Sequence, residues 1–151
     1  MNKNKFKQSR KRERGATLVE FSIAATVFLT LMFAVLEFGR VLWLHNALSD
    51  AARRGARYAA THTSGDVTAV RNVVVYGNPA GGTKPLVQDL NTTTNVNVTY
   101  NGYGLDSGTV TVSITNYQFQ FVLPLLTTSI TMPNYATTLP AESAGLIPAN
   151  L

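Results

Sequence analysis

Hydrophobic positions along the chain fall into three regimes. From Ala16 to Leu36, 21 consecutive positions carry a single ionisable side chain, Glu20. A helix of that length rises about 30 Å, the thickness of a bilayer's hydrocarbon core. A buried core helix is usually shorter and shows a polar stripe, which this segment almost lacks. The pattern therefore predicts a transmembrane helix over residues 16–36. From Glu37 onward the spacing changes: Phe38, Val41, Leu42, Leu48, Ala52 and Ala59 recur at helical intervals, with Arg40, Asn46, Asp50, Arg53, Arg54 and Arg57 between them. This predicts an amphipathic continuation over 37–63, broken at Thr63-Ser64-Gly65, and hence one helix of roughly 45 residues. Glu37 can reach Arg40 along it, and Asp50 can reach Arg53 or Arg54.

The third regime has a period of two. Val96, Val98 and Tyr100 alternate with Asn and Thr; Val110, Val112 and Ile114 do likewise after a Gly-rich turn at 101–108. Tyr117, Phe119 and Phe121 resume one residue out of phase, which predicts a bulge or bend near Asn116. A last strand is expected over 129–138, interrupted by Pro133 and therefore at an edge, with a loose tail from Leu139. Between helix and strands, Asp66 is a candidate N-cap for a short helix to about Asn72. Val73-Val74-Val75-Tyr76 is then either a buried strand or that helix's end, and 77–85 a loop. The fold class is α+β: a long N-terminal helix backed by a small antiparallel sheet.

Two rows of small residues run along the amphipathic part: Ala47, Ala51, Gly55 and Ala59, and beside them Ala52, Ala56 and Ala60. Alanine's helix propensity is the plain account. A smooth strip for close packing is the sharper one, and the protein's own sheet is its expected occupant.

Charge is unevenly placed. Residues 1–15 hold seven bases against Glu13, a net +6, whereas the remaining 136 residues sum to −1. The basic excess before the span keeps the N-terminus cytoplasmic and sends the C-terminal part across; Trp43 falls where an interfacial aromatic would sit. From residue 64 onward there are six charged residues in 88, against 14 threonines and nine asparagines. Too little positive charge remains for phosphate binding, so no nucleic-acid partner is expected, and the neutral surface suits packing beside other subunits. There is no cysteine, which removes disulfide and thiol chemistry.

No constellation for catalysis, cofactor or metal emerges. His45 and His62 lie 17 residues apart without a carboxylate or cysteine at ligand spacing. No G-x-S-x-G or phosphate-cradling loop is present. The turn Leu105-Asp106-Ser107-Gly108 is a weak calcium candidate. Asn91-Thr92-Thr93 and Asn97-Val98-Thr99 match the glycosylation acceptor pattern, which such a composition supplies readily by chance. Arg53, Arg54 and Arg57 are candidates to attract lipid headgroups or an acidic partner, with a solvated helix face as the plainer reading. No enzyme is expected.

The border of the span carries the most specific signal. An ordinary secretory signal has a shorter apolar stretch with a small-residue site after it; here the small pair Gly15-Ala16 stands before the stretch. A basic leader, then Gly15, then Ala16-Thr17-Leu18-Val19-Glu20, resembles the class III signal of type IV pilins and pseudopilins. Glu37-Phe38-Gly39-Arg40 and Ala51-Ala52-Arg53-Arg54-Gly55-Ala56-Arg57 narrow the resemblance to the TadE-like proteins of tight-adherence (Flp) pili, over about residues 14–60. One departure is that Thr26 stands where such proteins often have proline.

The resemblance implies a minor pilin or pseudopilin of pilin-like fold, cut by a prepilin peptidase between Gly15 and Ala16. It implies an inner-membrane location, with other pilin subunits and the membrane assembly platform as partners. Residues 1–15 would be the cleaved leader, 16–36 the span, 37–63 the helix continuation and 64–151 an extracytoplasmic head. An acid in a span costs about 2.5 to 3.5 kcal/mol at the bilayer centre and less near its edge. Cleavage would create an α-ammonium on Ala16 at Glu20's depth, able to pair with it in the same chain or an adjacent subunit. Without that pair, Glu20 is a carboxylate snorkelling toward headgroups. The alternative function is an uncleaved single-pass anchor that scaffolds an envelope assembly or secretion complex.

Overall fold

The computed structural model describes residues 3–62, 65–102, 108–122 and 129–140, with backbone alone for 3–14. The chain divides into two compact units, Met1–Arg40 and Val41–Leu151. A single helix, α1, runs Lys3–Thr61. It is longer than the predicted helix because it takes in the leader, whose Lys, Arg, Glu and Gln residues are good helix formers. Its end at Thr61 lies within two residues of the expected break.

From Gly15 to Leu36 every residue of α1 except the half-buried Ala25 is exposed. In the second unit, α1 residues Val41–Thr61 belong with α2 (Val67–Tyr76), β1 (Val96–Asn101), β2 (Thr109–Ile114), β3 (Gln118–Gln120), β4 (Ser129–Thr131) and β5 (Tyr135–Pro140). Strands β1, β2 and β5 form an antiparallel sheet in that order, and β3 pairs with β4 in a second, two-stranded one. The α+β, pilin-like class read from the sequence is the one observed.

Register explains the core. Across β1 and β2, Val96 faces Ile114, Val98 faces Val112 and Tyr100 faces Val110. The same β2 residues face Tyr135, Thr137 and Leu139 of β5. Because side chains alternate along a strand, this sets Val96, Val110, Val112 and Ile114 on one face, all fully buried. They meet Leu48 of α1 and Val70, Val74 and Val75 of α2 in one apolar cluster.

The ambiguous valine run after Asn72 is the end of α2. Spacing of three and four between Val70, Val73 and Val74 puts them on one helical face, and the core rewards that more than the small helix penalty of β-branching opposes it. Gly77 ends the helix in the left-handed region, φ 73°, its N–H donating to the Val73 carbonyl at 3.0 Å. Asp66 does stand at the N-cap position, and its carbonyl accepts from Val70 N–H at 3.1 Å. Its side chain makes no capping bond, however.

The phase slip is a bend. Asn116 adopts φ 57°, a conformation asparagine tolerates better than most residues, and this turns the chain so that both Ile114 and Tyr117 are buried. The expected last strand is corrected in two respects. It is two strands in two sheets, β4 and β5, separated by Met132-Pro133-Asn134, since proline cannot sustain a ladder. Leu139 and Pro140, assigned above to the tail, close β5 at the sheet's edge. Most of the 101–108 turn with its calcium candidate, and the tail beyond Pro140, lie outside the described residues.

Candidate membrane and assembly site

The apolar stretch of α1 shows a simple imbalance. Large apolar side chains from Leu18 to Leu36 are 39 to 71 % exposed, and none of the most apolar stretch of α1 is buried. A contiguous apolar surface of this length marks a membrane or protein contact, and α1 is long and apolar enough to cross a bilayer. Backbone polar groups in lipid must be satisfied within the segment, which an unbroken helix achieves.

Polar side chains within this apolar stretch are settled locally. Ser22, Thr26 and Thr30 each donate a hydroxyl hydrogen bond to the carbonyl four residues earlier, all at 2.8 Å. Thr26 thus returns its hydroxyl to the helix backbone. Glu20 is different: it is exposed and has no hydrogen-bond or ion-pair partner among the described residues. It lies one helical turn from Ala16, about 6 Å along the axis. Gly15 is helical too, and an added Cβ there would meet nothing within 4 Å. Packing therefore does not require glycine. What glycine does provide is a helix position cheap to unwind, by about 1 kcal/mol relative to alanine.

At the far end of the first unit, Arg40 donates to Glu37 at 2.7 Å, the pair expected from their spacing. Glu37 is buried, an unusual state for a carboxylate unless paired. Phe38 is exposed, and Gly39 has open space where a Cβ would stand.

Further along α1 the small residues have a clear use. Ala51, Ala52, Ala56 and Ala59 are at most 1 % exposed. A Cβ on Gly55 would collide with Val74 Cγ2 of α2 and stand 3.2 Å from Val112 Cγ1 of β2. The strip packs within its own head, as expected, but α2 shares it with the sheet.

The three arginines are not equivalent. Arg53 and Arg57 are exposed. Arg54, expected on a solvated face, instead donates through Nε to the Val73 carbonyl and through Nη2 to the Val74 carbonyl, both at 3.4 Å, while Nη1 reaches Asp50 at 3.0 Å. Asp50 thus pairs with the residue four away and not with Arg53. A cation among the last carbonyls of α2 complements that helix's negative end. Nothing in the local sequence marks this, because the acceptor carbonyls lie some twenty residues downstream. Arg54→Ala is expected to lower head stability by about 1 to 2 kcal/mol in thermal unfolding of the detergent-solubilised chain. Arg53→Ala should stay within about 0.5 kcal/mol.

His45 shares a 2.9 Å hydrogen bond with the Tyr135 hydroxyl, the rings meeting edge to face at 5.2 Å. It ties α1 to β5, a structural role. Burial raises the Tyr135 pKa, and burial together with the negative charge of Asp66 raises that of Tyr100. His62 stacks on Tyr58 at 3.8 Å near the end of α1. No group of three or more His, Cys, Asp or Glu able to hold a metal occurs among the described residues.

Comparison with curated proteins and with solved structures finds no match. The family model of TadE-like proteins matches residues 15–57. That segment begins at Gly15 and ends at Arg57, taking in the exposed apolar helix, the Glu37–Arg40 pair and the small-residue strip. Over residues 15–57, then, the chain is similar to TadE-like proteins.

Proposed function

We propose that the protein is a minor pilin or pseudopilin of a tight-adherence pilus, processed by a prepilin peptidase between Gly15 and Ala16. It sits in the inner membrane with the N-terminus cytoplasmic and the head outside. Its partners are the peptidase, other pilin subunits and the assembly platform, and its work is structural rather than catalytic. The observation that carries this reading is Glu20: a carboxylate without a partner among the described residues, on an exposed apolar helix, one turn from a Gly-Ala border. Cleavage supplies the missing cation as the Ala16 α-ammonium. Leaving a desolvated charge unpaired is expensive, so the pair favours docking in one register.

A second reading has a specific observation behind it. Helix α1 runs without interruption through Gly15, and an uncleaved anchor would keep that helix whole. Replacing Gly15 separates the two. A Gly15→Leu chain should accumulate at full length in the membrane and no longer enter filaments, if a peptidase reads the small residue. An anchor would insert and function unchanged.

A further inference from the structure

The head carries two Asn-x-Thr triplets, and their settings differ. Asn97 lies within β1, and its Nδ2 donates to Thr115 Oγ1 at 3.2 Å. Asn91 opens an exposed turn that precedes β1. The turn is firmly tied: Asn91 N–H donates to Asn95 Oδ1 at 3.0 Å, and Asn95 Nδ2 donates to the Thr115 carbonyl at 3.1 Å. The Asn91 amide oxygen accepts from Thr93 N–H at 2.9 Å, from Thr93 Oγ1 at 2.8 Å and from Thr94 N–H at 3.4 Å. Two of those donors are backbone N–H groups, which fixes that side-chain atom as oxygen. The other amide atom, Nδ2, has no hydrogen-bond partner among the described residues.

We infer that Asn91 is an acceptor for an N-linked glycan and that Asn97 is not. An amide nitrogen is a poor nucleophile because its lone pair is delocalised into the carbonyl. Donors on the amide oxygen stabilise the imidate-like charge that develops as Nδ2 gives up a proton. The third residue of the triplet, Thr93, supplies one such donor at Asn91. An exposed loop of a translocated domain is also where the acceptor pattern has meaning. The donor is a polyprenyl pyrophosphate-linked oligosaccharide. The bond between Nδ2 and the sugar's anomeric carbon forms, the bond from that carbon to the pyrophosphate oxygen breaks, and the pyrophosphate leaves with the electron pair. One Nδ2 proton passes to a base of the transferase. At Asn97 the nitrogen is engaged with Thr115, and β1 pairing holds the backbone.

This inference rests on the proposed placement of the head outside the cytoplasm, so both are read in one experiment. Full-length protein is extracted from the membranes of its own cells, and peptides carrying residues 91 and 97 are analysed by mass spectrometry with fragmentation. In parallel, protease is added to spheroplasts. A saccharide mass on Asn91 is expected, lost in Asn91→Gln and Thr93→Ala but kept in Thr93→Ser and Asn97→Gln. A protease-accessible head with Asn91 unmodified, or with the saccharide on Asn97, overturns the glycosylation and leaves the placement standing. A head that protease cannot reach, with Asn91 unmodified, overturns both.

Discussion

Gly55→Leu should unfold or severely weaken the head, by about 3 kcal/mol or more, in thermal or urea denaturation of the detergent-solubilised chain. The reason is geometric. Even a single Cβ at position 55 collides with Val74 Cγ2 and crowds Val112, and both valines belong to the fully buried cluster. Valine is stiff at χ1, so Val74 cannot swing its methyl aside cheaply. Gly55→Ala sets two effects against each other. It gains about 1 kcal/mol of helix propensity, and it loses about 1 to 3 kcal/mol to overpacking. The net result should be destabilising. Gly39→Ala is the matched control on the same helix. Its Cβ meets nothing within 4 Å, so it should be neutral or stabilising by up to about 1 kcal/mol. Equal effects at positions 39 and 55 would show that Gly55 is not at a close approach.

The second large effect is expected at Glu20. Glu20→Ala should leave insertion intact, since removing a charge lowers the cost of residing in lipid. Incorporation into filaments should nevertheless fall by about 100-fold, measured as subunit recovered in sheared pili relative to subunit in membranes. The magnitude follows from the roughly 3 kcal/mol or more lost when a desolvated pair is broken and its partner left charged, at about 1.4 kcal/mol per decade. Glu20→Asp keeps the charge on a shorter stem and should retain part of the activity. Unchanged incorporation of Glu20→Ala would end the alignment role and leave the snorkelling carboxylate as the account.

Much of this was legible in the pattern of the chain, and the exceptions are instructive. Residues 16–36 announce a helix long and apolar enough to cross a bilayer because apolar character holds over 21 positions with one ionisable residue, and nothing downstream has to be known. The period-two runs at 96–100 and 110–114 likewise fixed their own register, because a one-residue slip would expose Val110, Val112 and Ile114 together. Asn116 was visible as a bend from that phase change alone. Harder to read were features decided by a distant part of the chain. Arg54 looks like its neighbours Arg53 and Arg57 in sequence, and its role arises only when the end of α2 arrives beside it. His45 is similar: its partner Tyr135 is ninety residues away. The run Val73-Val74-Val75-Tyr76 is apolar enough for strand or helix, and only the packing of α2 on β1 settles it. The division of 129–140 into β4 and β5 follows from Pro133, but that the halves join different sheets does not.

The measurement that bears most directly on the central claim is the intact mass of the protein extracted from membranes of cells that assemble pili. The account predicts a chain that lacks residues 1–15, begins at Ala16 and still carries the apolar helix through Leu36. A chain beginning at Met1 would favour the uncleaved anchor. A soluble product whose first residue lies beyond Leu36 would contradict the account outright, because the helix would then be a discarded signal.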